Sequence, residues 1–384
     1  MKVLMLAPQP FFVERGTPIA VREAAEALAR RGHHVDLLVL HGGQDVATPG
    51  VTVFRSRRPR GVGDVGIGFS GAKLLSDVAL SGRAMRLLRS GGYDVIHAVE
   101  EAVFPALALR RRPCRIIWDM DSLMIDQMIE KSRLFGVAAP ALRACERLAA
   151  RRVDLVLAVC PAIAAHVRAV APAQKVHELP DIATPSPTDA APAQVIDLRG
   201  SFSTPGPLAL YVGNLELYQG VDLLIDAVAQ LPSPDRVNLA IVGGRSDHVA
   251  AARERVARLG LSENIHLFGP APLADLPYLL RQADILCSPR LSGVNTPMKI
   301  YSYMASGRPI VATAIASHTQ VLDGTTAILT APDATAFSAG LAQIASNQAW
   351  AEQIGVAAQA IAATNYSRAA FERRLQAAYA DLAQ

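Results

Sequence analysis

The chain reads as an α/β protein made of two doubly wound parallel-sheet domains, and three observations predict this. Its 384 residues exceed what one ordinary hydrophobic core holds, so two domains of roughly 180 residues each are expected. Short apolar strands alternate with amphipathic helices from end to end, the pattern of βαβ units around parallel sheets. The alternation also restarts after a stretch rich in Pro, Ser, Thr and Ala, residues 182–206, which reads as a linker or loose loop.

In chain order, KVLMLAP (2–8), a helix over Ala20–Arg31 and HVDLLVL (34–40) make the first βαβ unit. YDVIHAV (93–99), CRIIWDM (114–120) and LVLAVC (155–160) continue it. The second half repeats the scheme with ALYVGN (209–214), a helix over Val221–Gln230, NLAIVGG (238–244), a helix over Val249–Leu259, NIHLFG (264–269), a helix over Asp275–Gln282, DILCSP (284–289) and PIVAT (309–313). Domains are expected at 1–182 and 207–365, with a linker at 183–206. Two such domains facing each other would leave a cleft lined by the carboxyl ends of both sets of strands, where ligands of these sheets bind.

Composition narrows the class. Hydrophobic residues make up 51% and charged residues 19%, yet the most apolar run, residues 153–167, is interrupted by Asp154, Pro161 and His166. That falls short of the ~20 clean residues of a spanning helix, so none is expected. The start, MKVLMLAP, reads as a first strand and not as a signal peptide, which places the protein in the cytoplasm. Cysteines 114, 145, 160 and 287 show no metal-ligand spacing and suit a reducing compartment. No metal is expected.

The net charge is only +4, but the cations gather in the first half: Arg55, Arg57, Arg58 and Arg60, then Lys73, Arg83, Arg86 and Arg89, then Lys131, Arg133, Arg143, Arg147, Arg151 and Arg152. Between them lies VGDVGIGFSGAKLLSDVALSG (62–82). That combination suits an anionic bilayer surface; solvated helix faces are the alternative. Nucleic acid is not expected, since no recognition module accompanies the arginines.

The segment from Ser288 to Gly324 concentrates special-purpose positions. Thr296 is placed to cap a helix with its hydroxyl, and Pro297 suits the first helical position because its missing N–H needs no partner there. Gly307 ends the helix, Arg308-Pro309 forbids its continuation, and residues 310–313 read as a buried parallel strand. In the first turn, residues 297–299, the backbone N–H groups of those that carry one, 298 and 299, would then face outward and favour an anion.

The order of segments, with GNLELYQGVDLL, IVGG, DILCSP and the 288–324 stretch, resembles the family-4 glycosyltransferases of the GT-B fold, over nearly the whole chain. The resemblance implies two Rossmann-like domains facing a central cleft, with a C-terminal helix (366–384) crossing back to the first. It implies retaining transfer of a sugar from a nucleotide-sugar, a UDP- or GDP-sugar as substrate and no cofactor, to a glycan or lipid acceptor. The second domain would hold the donor and the first the acceptor. A cell-envelope role, with peripheral attachment to the inner membrane face, is the expected setting.

Carried over position by position, the donor site departs from the family pattern. The family's two glutamates, separated by seven residues, correspond to Val294 and Ser302. Ser302 can still reach a ribose hydroxyl, whereas Ser292 or Asn295 would have to contact the sugar. The family's Gly-Arg-x-x-x-x-Lys-Gly phosphate clamp stands here as Gly213-Asn214-Leu-Glu-Leu-Tyr-Gln219-Gly220, with both cations replaced by amides. A departing diphosphate needs positive potential. Lys299 is the leading candidate to supply it, with Arg290 and Arg245 as further ones, and Thr296 and Pro297 at the helix start. In the first domain, Gly16-Thr17 sits just before a helix, where the family's glycine pair approaches the donor phosphates.

The candidate catalytic acids are Glu100, Glu101 and Asp121, which follow predicted strands together with His97 and Asp119. A carboxylate there can orient or deprotonate an acceptor hydroxyl. Glu100 and Glu101 cannot both point inward on an extended chain; one belongs to a helix start. The family commonly has a histidine where Asp121 stands. Alternatives are a non-catalytic nucleotide-sugar-binding or partner subunit and a nucleotide-sugar epimerase. A dinucleotide-dependent dehydrogenase is excluded, because neither domain's first strand leads into Gly-x-Gly-x-x-Gly.

Overall fold

The computed structural model describes the chain except for Arg15, Ser132, Gln384 and residues 64–69, 111–112, 185–195 and 233–236. The undescribed residues include part of the stretch assigned to a bilayer surface and most of the expected linker. The side chains of Lys131 and Arg133, counted among the basic groups above, also lie outside the description. The chain divides into two compact units, residues 1–180 with 371–384, and residues 181–370.

The first unit carries β1 (Lys2–Pro10), α1 (Gly16–Arg30), β2 (His34–Leu40), β3 (Val51–Arg55), α2 (Gly71–Ser90), β4 (Val95–Val99), α3 (Val103–Leu109), β5 (Arg115–Met120), α4 (Met124–Lys131), α5 (Arg133–Arg152), β6 (Leu155–Ala158), α6 (Pro161–Val170) and β7 (Val176–Glu178). Its seven strands are all parallel, in the order β3-β2-β1-β4-β5-β6-β7. Strands β3 and β7 go beyond those expected from sequence; they are edge strands of five and three residues, too short for a clear period.

The second unit carries β8 (Leu208–Val212), α7 (Val221–Ala229), β9 (Asn238–Val242), α8 (Ser246–Arg258), β10 (Ile265–Gly269), α9 (Leu276–Gln282), β11 (Ile285–Ser288), α10 (Met298–Ser306), β12 (Ile310–Thr313), α11 (Ala316–Thr319), β13 (Ile328–Thr330), α12 (Ala334–Ser346) and α13 (Gln348–Asn365). Its parallel order is β10-β9-β8-β11-β12-β13. The last helix, α14 (Arg368–Ala383), begins here and belongs from Phe371 onward to the first unit.

Alternation along the strands explains the layers, because period-2 side chains supply two faces and helices cover both. In the second sheet, Ala209, Tyr211, Leu239, Ile241 and Ile285 pack with α7, α8 and α12. Leu208, Leu210, Ala240, Val242 and Leu286 pack with α9, α10 and α13. In the first sheet, Leu4, Leu6, Ile96 and Trp118 join Leu80 and Ala84 of α2 and Ile163 of α6. On the alternate register of β4, His97 meets Tyr379 of α14.

Both sheets reverse direction at their first strand: β1 lies between β2 and β4, and β8 between β9 and β11. A crevice opens at the carboxyl ends of two strands whose connections leave in opposite directions, and ligands of doubly wound sheets bind there. The residues after β1 and β4, and after β8 and β11, therefore line these crevices. Among the described residues, no helix is long and apolar enough to cross a membrane.

Candidate active site

In the second unit, two backbone features shape the crevice. Gly220, between a short turn and α7, adopts φ +70, and a Cβ there would fall on the Pro289 carbonyl after β11. Gly243, at the end of β9 with φ +117, would place a Cβ on the Gly213 carbonyl. Glycine alone permits both conformations and the close approach of these loops.

Lys299 and Arg290 both border this crevice, near enough for the Arg290 charge to act on Lys299. The Lys299 Nζ lies 3.9 Å from the Tyr211 ring centroid and donates to Gln219 Oε1 at 3.3 Å. Arg290 is buried, its guanidinium 5.4 Å from the Tyr218 ring, and it donates to the Ser292 carbonyl at 2.7 Å and the Asn295 carbonyl at 3.0 Å. Its second terminal nitrogen reaches Asn295 Oδ1 at 3.3 Å. Among the described residues, neither cation has a carboxylate partner. Burial, and then the neighbouring Arg290 charge, push the Lys299 ammonium well below its ordinary range; burial likewise lowers Arg290.

Several expected roles change. Thr296 does not cap the helix: α10 starts at Met298, and its N-cap is Pro297, with φ −63 and ψ 129 and no side-chain cap. The Thr296 hydroxyl is buried and accepts from Gln320 Nε2 at 2.8 Å, a tertiary partner that replaces the local one. In the first turn, the Ile300 N–H bonds back to the Pro297 carbonyl at 2.9 Å. Ser302 is buried and already holds the Thr184 N–H at 2.9 Å. Asn214 turns inward on its own loop, its carbonyl accepting from the Tyr211 hydroxyl at 2.5 Å and its side chain from the Glu216 N–H. Arg245 stands apart from the buried pair, since it carries its own carboxylates, Asp247 at 2.9 Å and Glu216 at 3.8 Å. Val294 is exposed.

His318, which sequence reasoning missed, lies fully buried behind these groups. It contacts Ser288 Oγ at 2.9 Å through Nε2 and the Thr313 carbonyl at 2.8 Å through Nδ1. Burial, with the Lys299 and Arg290 charges adding to it, holds its pKa down at about 4, so it adds no third charge at neutral pH. The Thr313 hydroxyl in turn donates to the Arg290 carbonyl. Tyr211 and Tyr218 were also missed, because a tyrosine in or after a strand looks like any other core or surface aromatic.

In the first unit, Gly16 and Thr17 do not precede the helix but open it, α1 starting at Gly16, four residues earlier than expected. After β4, the two glutamates part company. Glu100 is buried with φ +51, its carbonyl held by the Trp118 indole N–H at 3.0 Å. Burial, and then the Glu101 charge, raise its carboxyl well above the ordinary range; donation from the Ser122 hydroxyl and the Asp121 N–H offsets only part of this. Glu101 is instead paired with Lys73 of α2 at 2.5 Å, and Lys73 also meets Asp77 at 2.6 Å. Asp121 is half-buried beyond β5. Asp119 Oδ2 accepts from His97 Nε2 at 3.0 Å, and His97 Nδ1 meets the Tyr379 hydroxyl at 2.9 Å. Each unit thus has its own group at its switch point, a buried carboxyl in the first and two cations in the second.

Residues 15–181 match the model described as "Glycosyl transferase 4-like domain", and residues 206–347 match "Glycosyl transferases group 1". The chain belongs to the family-4 glycosyltransferases. It is 26% identical over 389 residues to a phosphatidyl-myo-inositol mannosyltransferase of Mycobacterium leprae, covering 100% of this chain and 97% of that one. Among solved structures, this glycosyltransferase superposes on a sucrose-phosphate synthase from Thermosynechococcus elongatus with a TM-score of 0.80 at 21% identity, covering 99% and 98% of the two chains. It superposes on Anabaena HepE in complex with UDP-glucose with a TM-score of 0.74 at 20% identity, covering 99% of each. Its two Rossmann-like units are those of the GT-B fold.

Proposed function

We propose that the enzyme transfers a sugar from a UDP- or GDP-sugar to a glycan or lipid-linked acceptor, with retention of anomeric configuration and without a metal. Cell-envelope glycan or glycolipid synthesis at the inner membrane face is the setting that fits the basic first unit. One observation carries the donor half: Lys299 and Arg290 share a crevice, and neither has a carboxylate partner among the described residues. Uncompensated buried cations are costly, and a diphosphate is the ligand class that relieves the cost.

In the reaction, the bond from the anomeric carbon to the diphosphate oxygen breaks and the acceptor oxygen bonds to that carbon from the same face. The departing diphosphate oxygen takes the acceptor proton. Lys299 and Arg290 would stabilise the charge that develops on the diphosphate, and Gln219 and Asn295 would orient the two cations. Glu100, with Asp121 beside it, would orient the acceptor hydroxyl. Names of similar proteins, one a mannosyltransferase acting on phosphatidyl-myo-inositol and one a complex with UDP-glucose, support these donor and acceptor classes.

Titration calorimetry with UDP, GDP and ADP tests the donor half. Lys299→Ala is expected to weaken binding of the preferred nucleotide about 10- to 100-fold, the range of a hydrogen bond to a charged group. Unchanged affinity in that variant, or no binding of any nucleoside diphosphate by the parent protein, would exclude this site.

A further inference from the structure

Helix α2 is apolar on two sides: it packs one face on the core, with Ala72, Leu87 and Leu88 at its margin, and leaves a second exposed. Leu80 and Ala84 pack into the core, yet the same inward side carries Ser76 and the buried Lys73. The outward side carries large apolar groups: Leu74 and Leu75 are each 53% exposed, Val78 64% and Met85 37%. At 3.6 residues per turn, these four fall within an arc of about 100°, with Arg89 and Gly82 inside it and Arg86 at its edge. That arc holds no carboxylate. The one acid nearby on the helix, Asp77, is turned onto Lys73. Arg57, Arg58 and Arg60 are exposed in the segment that leads toward α2.

An exposed apolar stripe with a cationic rim, on a helix whose other face is anchored in a core, has the amphipathic character of an interfacial helix. A protein partner would need acidic groups around an apolar centre. A bilayer containing anionic lipid offers both at once, over any area and in any register. We propose that the outward face of α2 seats this glycosyltransferase on an anionic bilayer, with the helix axis in the plane of the interface.

Seating there extends the acceptor half of the function proposed above and is independent of the donor half. Lys73 links the two, since it projects from the inward side of α2 and binds Glu101, the residue next to Glu100. Lys73 thus ties the helix that bears the apolar stripe to the turn that carries Glu100.

The test is flotation of the full chain with vesicles of phosphatidylglycerol and phosphatidylcholine, and with phosphatidylcholine alone. The protein is expected to float with the anionic vesicles and to remain at the bottom with the neutral ones. Leu75→Glu with Val78→Glu should reduce flotation at least tenfold. Arg86→Ala and Arg89→Ala should each weaken it about fivefold at low salt, since each cation near such a surface contributes comparably. Circular dichroism and nucleoside diphosphate binding of these variants should match the parent, which excludes misfolding as the cause. Equal flotation on both vesicle types, or parent-like flotation of the double glutamate variant, would overturn the proposal. So would self-association of the parent that the glutamates abolish, without any vesicle binding, which would assign the stripe to a second copy. Loss of nucleotide binding with flotation intact would count against the donor site alone.

Discussion

Lys299 and Glu100 are each held in a place that disfavours their charge, and both have testable consequences. The Lys299 ammonium is depressed in the absence of ligand, so in the folded state it binds fewer protons than in the unfolded chain. Stability of the free protein should therefore rise with pH between its lowered folded value and the ordinary lysine range, and Lys299→Met should remove that slope. Replacing this half-buried cation, which has no carboxylate partner among the described residues, by an apolar group of similar volume should also stabilise the free protein, by on the order of 1 kcal/mol in thermal unfolding, while destroying nucleotide binding. Diphosphate binding should raise the Lys299 pKa again, with proton uptake wherever the free ammonium is partly deprotonated. Calorimetry in buffers of different ionisation enthalpy would show this, with affinity falling as pH rises.

Glu100 has the opposite sign. Its carboxyl is raised, so a step that needs it ionised should lose rate as pH falls through a value above the ordinary carboxylate range. Glu100→Gln should remove that acid limb from the pH profile of kcat/KM. A limb that survives in the variant would assign it to another group, Asp121 or Asp119.

At the scale of elements, the loops after β8, β9 and β11 hold the cation pair, and their close approach depends on glycine. Gly220→Ala would require a side chain in the left-handed region, about 1 kcal/mol, together with displacement of the Pro289 carbonyl. The expected outcome is destabilisation of the second unit by about 2 kcal/mol or more. Nucleotide affinity should fall as well, because Gln219 and Arg290 flank the two colliding positions. Parent-like affinity in a folded Gly220→Ala variant would show that the turn does not set the Gln219–Lys299 geometry.

At the scale of the whole molecule, the last residues of the chain complete its first unit. Arg30 pairs with Glu372 at 2.9 Å, Tyr379 meets His97, and Lys175 and His177 both bind Asp381. Ending the chain after Ala370 would remove Phe371, Leu375 and Tyr379 from the core and leave His97 without its hydroxyl partner. Each unit has one of the chain's two tryptophans, Trp118 and Trp350, which makes the effect separable. In a Trp350→Phe background, the Trp118 emission transition should move to lower denaturant on truncation. In a Trp118→Phe background, that of Trp350 should stay in place.

The sequence by itself determined the fold class, because strand and helix periods are local and the alternation of apolar runs is visible within a few residues. Every strand named from sequence is present, and only short edge strands such as β3 escaped, having too few residues to show a period. Sequence also directed attention to the segments that follow β8, β11, β4 and β5. What it could not determine was the electrostatic state of the residues there. Gln219 and Lys299 are 80 positions apart, Thr184 and Ser302 118, and His97 and Tyr379 282. Only the tertiary structure decided that Glu101 goes to Lys73, that Thr296 serves Gln320 instead of a helix end, and that Lys299 and Arg290 are left without a carboxylate among the described residues. Charge and hydrogen-bond satisfaction are settled by whichever partner folding brings within 3 to 4 Å, and a local pattern carries no record of that choice.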